Sequence, residues 1–121
     1  MLTLAVYLLS IAAVAGLILV LWHLRATETA SRPPLIVGIA HGIVGAAGLA
    51  ALLLALRGPP RDVAMGAGSF GTTAAWLLAA AVATGVALLV LRRKGPAVMM
   101  TIHAGVAFTG YVLFLAWSAL G

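Results

Sequence analysis

Residues 35–56 read LIVGIAHGIVGAAGLAALLLAL, and a single ionisable side chain, His41, interrupts the run. A helix of about 20 apolar residues crosses the hydrocarbon core of a bilayer. This stretch is long enough and has no acid, lysine or arginine. Three further runs of the same kind cover 2–24, 70–91 and 97–120. The connections are short. The first holds Arg25, Arg32, Pro33 and Pro34, the second Arg57, Pro59, Pro60, Arg61 and Asp62. The third is Arg92-Arg93-Lys94-Gly95-Pro96, with Gly and Pro as ordinary helix punctuation. Spans this long with loops this short predict an all-α membrane protein, a four-transmembrane-helix up-down bundle forming one domain over 1–121.

Composition agrees. Of 121 residues 64% are hydrophobic and 7% charged, against about 25% charged in a soluble domain. There is no Cys, which excludes disulfides, thiolate metal sites and covalent haem attachment through Cys. The net charge of +5 is not read as a nucleic-acid signature, because the basic residues flank apolar spans. They set orientation instead. The first and third loops carry Arg25, Arg32, Arg92, Arg93 and Lys94, and the second only Arg57 and Arg61. The first face is therefore expected to be cytoplasmic, in a bacterial inner membrane, with both termini on the outer side. Trp22 fits the inner interface, and Tyr7, Trp76 and Trp117 the outer one. The first run outlasts a signal-peptide core and ends in Trp22, His23 and Arg25, so it is read as a retained span.

The chain reads as two tandem hairpins, about 1–57 and 70–121. Ala5, Leu8, Leu9, Ala12, Gly16 and Leu19 match Ala74, Leu77, Leu78, Ala81, Gly85 and Leu88 at one constant offset. His41, Val44, Gly48 and Leu53 match His103, Val106, Gly110 and Leu115 at a second. Each half crosses twice, so the halves share one orientation and an axis along the membrane normal. That axis carries His41 onto His103.

An ionisable group inside a bilayer is costly and marks a functional hypothesis. Two histidines at one depth point to a shared ligand, and neutral imidazole is a good ligand for iron. His41 and His103 are the candidate metal ligands. Gly45 and Gly48, with Ala107 and Gly110, lie one and two turns along the same faces and would leave a slot for a flat cofactor, closed further down by Leu52 and Phe114. Arg25, Arg92 and Arg93 are candidate partners for its carboxylates. Each ligating ring should donate its other N–H to a carbonyl one turn back, at Val37 or Met99. The small residues also serve ordinary close packing of membrane helices, and a buried histidine pair also serves as interhelical glue. His23, whose repeat partner is Arg92, reads as an interfacial side chain; the functional alternative is a third metal ligand or a proton donor. Met99 and Met100 read as packing.

On His41, His103 and their small-residue faces, the chain resembles the four-helix membrane b-type cytochromes, broadly the cytochrome b561-like group. Many members hold two haems through four histidines, and this chain has three. The resemblance implies one haem b near the cytoplasmic face and electron transfer, with a quinone or a redox partner protein as the other participant. The chain would then be an electron-transfer protein or a subunit of a quinone-linked oxidoreductase. Two other readings stay open: a non-redox integral subunit in a homo- or hetero-oligomer, and a small transporter with a proton-binding histidine pair. No span holds an acid, which argues against a carboxylate-driven antiporter. No P-loop, HExxH or Ser/His/Asp pattern is present, and no catalysed reaction is assigned.

Overall fold

The computed structural model describes residues 1–29, 33–61, 63–91 and 97–120. Among them it has four helices: α1 (Leu2–Thr29), α2 (Leu35–Ala55), α3 (Phe70–Val90) and α4 (Ala97–Leu120). All four are long and apolar enough to cross a membrane. Ala and Leu dominate them, and both are strong helix formers. α1 runs five residues beyond the expected position 24. Nothing in Arg25–Thr29 breaks a helix; the next breakers are Pro33 and Pro34. Pro34 then stands at the N-cap of α2, where a missing N–H costs nothing. α2 and α3 each stop one residue early, with Leu56 and Leu91 as C-caps. Gly66, in the connection to α3, has φ 71°, a conformation that suits glycine.

The helices form a closed ring. α1 meets α2, α2 meets α3, α3 meets α4 and α4 meets α1, while the backbones of diagonal helices do not approach and only their side chains meet. Contacts fix the directions. On α2, the ring of His41 lies against Gly16 and Gly48 lies against Leu9, so α2 ascends as α1 descends. The same holds for His103 on Gly85 and Gly110 on Leu78. Gly38 faces Leu89 and Leu56 faces Gly71, so α2 and α3 are also antiparallel.

The core occupies one half of the ring. Ala5, Leu9, Leu52, Ala74, Leu78, Phe114 and Trp117 pack together there. Leu52 and Phe114, at equivalent places in α2 and α4, are both 0% exposed. Trp117 is 3% exposed. It is not the interfacial side chain the sequence reading expected. Its ring seats on the bare backbone of Gly71, and the guanidinium of Arg61 lies 5.8 Å from the ring centre. Tyr7 and Trp76 are exposed on the surface of the ring, at 65% and 75%, with Ile43, Val90 and Phe108. Helices apolar on every side match a lipid solvent rather than water.

The other half of the ring, toward the α1–α2 and α3–α4 connections, is different. Beyond Ala12 on α1 and Ala81 on α3, and before Gly48 on α2 and Gly110 on α4, no described residue is buried. Both His41 and His103 lie in that half.

Candidate functional site: a facing imidazole pair

His41 comes from α2 and His103 from α4, diagonal helices whose backbones stay apart. Both side chains reach inward. Their ring centres are 6.2 Å apart and their planes are 84° apart. Each ring is held by the helix paired with its own. His41 Nδ1 lies 3.0 Å from the Ala12 carbonyl of α1. His103 Nδ1 lies 2.9 Å from the Ala81 carbonyl of α3. A carbonyl only accepts, so each Nδ1 carries the proton and donates. Each Nε2 then keeps its lone pair. No described residue hydrogen-bonds either Nε2.

The carbonyls expected one turn back, at Val37 and Met99, are not the acceptors. The acceptors are carbonyls of the neighbouring helices, Ala12 of α1 and Ala81 of α3. Small residues make this reach short. A Cβ on Gly16 would come within 3.0 Å of His41 Cε1, and a Cβ on Gly85 within 3.0 Å of His103 Cε1. The imidazoles lie flush against bare backbone.

The small residues on the histidines' own helices serve a different contact. Gly48 receives Leu9, and Gly110 receives Leu77 and Leu78. Two turns from each ring, leucine therefore takes up the space that was expected to form a slot. A Cβ on Gly45 would lie 3.8 Å from Ala12 Cβ, and Ala107 is half-buried. Arg25 stands on the exposed end of α1, while Arg92 and Arg93 lie outside the described residues. His23 is exposed and joins no ligand cluster. Among the described residues no group of three or more His, Cys, Asp or Glu could hold a metal ion.

Two polar contacts have no signal in the histidine pattern. Thr84 Oγ1 bonds the Ala80 and Ala81 carbonyls at 2.9 and 3.0 Å and lies 3.2 Å from His103 Nδ1. Ser10 Oγ lies 2.7 Å from Tyr111 Oη, joining α1 to α4. Thr109 and Ser118 bond back to Gly105 and Leu115, as isolated hydroxyls in lipid-facing helices are expected to do.

Comparison with protein-family models, curated proteins and solved structures finds no match to this chain.

Proposed function

We propose that this chain is an integral membrane electron-transfer protein that binds one haem b, with His41 and His103 as axial ligands. The facing, carbonyl-oriented imidazoles carry this reading. A metal between two imidazole nitrogens at about 2 Å each, with ~1 Å more from nitrogen to ring centre, sets the rings roughly 6 Å apart. The observed 6.2 Å fits that span. Two protein ligands are too few for a structural zinc site, which takes about four. They suffice where a macrocycle supplies the equatorial donors. The lack of buried described residues in this half of the ring leaves surface that a large apolar plate would cover.

The fit supports a division of labour. Haem b, when bound, supplies the one-electron chemistry. Nε2 of His41 and His103 would hold it, and the Ala12 and Ala81 carbonyls would fix the tautomer and raise ligand basicity. Gly16 and Gly85 let the rings sit deep enough to face one another. The leucine-filled contacts of Gly48 and Gly110 close each hairpin two turns further on.

On this reading the chain is a tandem repeat of two helical hairpins about an axis along the membrane normal. Five structural correspondences obey the two sequence offsets: Ala12 with Ala81, Gly16 with Gly85, Leu9 with Leu78, His41 with His103 and Gly48 with Gly110. The basic loops face the cytoplasm and both termini face outward. One haem toward the cytoplasmic face does not span the bilayer, so a quinone or a redox protein completes the transfer.

The test is an absorption spectrum of the detergent-purified protein, oxidised and then dithionite-reduced. Sharp α and β bands in the reduced form, lost in both His41→Ala and His103→Ala, are the expected result. A featureless spectrum that persists after haem addition overturns the assignment. So does an unchanged low-spin spectrum in both variants.

A further inference from the structure

We propose that Thr84 is a positioning residue that makes the two axial imidazoles unequal. The inference rests on the bis-histidine haem reading and deepens it.

The two halves of the site match closely, except at one place. Thr84 lies three residues after Ala81, and its repeat equivalent after Ala12 is Ala15. In the first half, His41 Nδ1 meets one acceptor, the Ala12 carbonyl at 3.0 Å. In the second, His103 Nδ1 meets two: the Ala81 carbonyl at 2.9 Å and Thr84 Oγ1 at 3.2 Å. Proton accounting fixes the roles. Thr84 has one O–H, and both backbone groups near it, Ala80 and Ala81, are carbonyls that only accept. The hydroxyl proton therefore goes to the backbone, and the hydroxyl oxygen offers a lone pair to the His103 N–H. Donation to the carbonyl polarises the hydroxyl and strengthens it as an acceptor.

A second acceptor on Nδ1–H raises electron density at Nε2. A more basic axial ligand favours the oxidised metal, and hydrogen bonding beyond the ligand is one of the levers that set a haem potential. His103 is thus the stronger donor of the pair. Thr84 also anchors the ring rotation, because its own rotamer is fixed by two backbone carbonyls.

The decisive comparison is wild type, Thr84→Ala, Thr84→Ser and Thr84→Val in the full-length, haem-loaded protein. Potentiometric titration and low-temperature electron paramagnetic resonance are the readouts. Thr84→Ala and Thr84→Val should keep the haem and raise the midpoint potential. The expected change is about threefold in the oxidised-to-reduced binding ratio, or about 30 mV at 59 mV per tenfold for one electron. Thr84→Ser, which keeps the hydroxyl, should restore the wild-type value. Equal potentials and resonance signals in all four proteins, with haem bound, overturn the proposal while leaving the haem reading intact. A wild-type protein that takes up no haem overturns both. Nitrogen NMR of the histidine rings without haem supplies an independent check. Thr84→Ala should move His103 Nδ1 and leave His41 unmoved, and equal movement of both rings counts against the hydrogen bond.

Discussion

At the scale of single residues, glycine divides into two kinds, and the division is measurable. A Cβ on Gly48 would meet Leu9 at 2.8 Å and its backbone nitrogen at 3.2 Å. A helix backbone cannot yield locally, so Gly48→Ala should destabilise by about 1–3 kcal/mol through overpacking. Gly42 and Gly105 have nothing within 4 Å of the same position. Gly42→Ala and Gly105→Ala should be neutral or stabilise by up to about 1 kcal/mol, from helix propensity alone. Unfolding midpoints in mixed micelles, measured for the three variants together, check this. A Gly48→Ala midpoint at or above wild type would count against the contact. Gly16→Ala is a third case. Its neighbour is the His41 ring, which must shift by a few tenths of an ångström, so the effect should fall on haem affinity more than on stability. A haem titration of Gly16→Ala against Gly42→Ala separates the two. Sequence alone shows that Gly16 and Gly48 recur as Gly85 and Gly110, each at its own offset, and that Gly42 and Gly105 do not recur. It does not distinguish the ones that touch a leucine from those that touch a histidine or nothing.

At the scale of elements, the sequence reading is nearly complete for the helices and poor for their faces. Unbroken apolar runs ending at Pro, Gly or Arg clusters mark four helices because lipid allows little else. The five extra residues of α1 were not read, because the apolar run ends at Leu24 even though no breaker stands in Arg25–Thr29. Faces were harder, because Ala, Leu and Gly occur on all sides. Trp117 illustrates this. Its place near a span end suited an aromatic belt, but the bare Gly71 backbone on the facing helix receives its ring. The Ser10–Tyr111 bond belongs to this scale as well. It joins α1 to α4, and the repeat counterparts, Ala79 and Leu49, carry no hydroxyl. Hydrogen bonds between membrane helices average about 0.6 kcal/mol and reach about 1.7. Tyr111→Phe should therefore lower stability by roughly 0.5–1.5 kcal/mol without changing haem content. A larger loss, or a loss of haem, would mean that this contact helps set how the halves dock. The measurement is the unfolding midpoint beside the Soret-to-protein absorbance ratio.

At the scale of the whole molecule, one half is packed, and the other carries the histidines with no described residue buried beyond Ala12 and Ala81. If haem completes that half, binding should stabilise the protein by mass action, about 2.7 kcal/mol at a free ligand concentration a hundred times the dissociation constant. Hydrogen exchange should show the gain in residues 13–26, 35–47, 82–91 and 97–109, and little change around Leu52 and Phe114. Uniform protection along all four helices would contradict a cofactor seated at one end. The sequence by itself determined the class of protein and the number of helices, and it set His41 and His103 at matching places in two similar runs. Each follows from local composition or a fixed offset, and a bilayer leaves a chain few alternatives. Only the tertiary structure decided that the two imidazoles face each other at 6.2 Å, that Ala12 and Ala81 hold them, and that Thr84 touches one of them alone. Those facts depend on which helix lies across which groove. Helices alike in composition carry no code for that, and it is settled by where the missing side chains of Gly16, Gly48, Gly85 and Gly110 let neighbours approach.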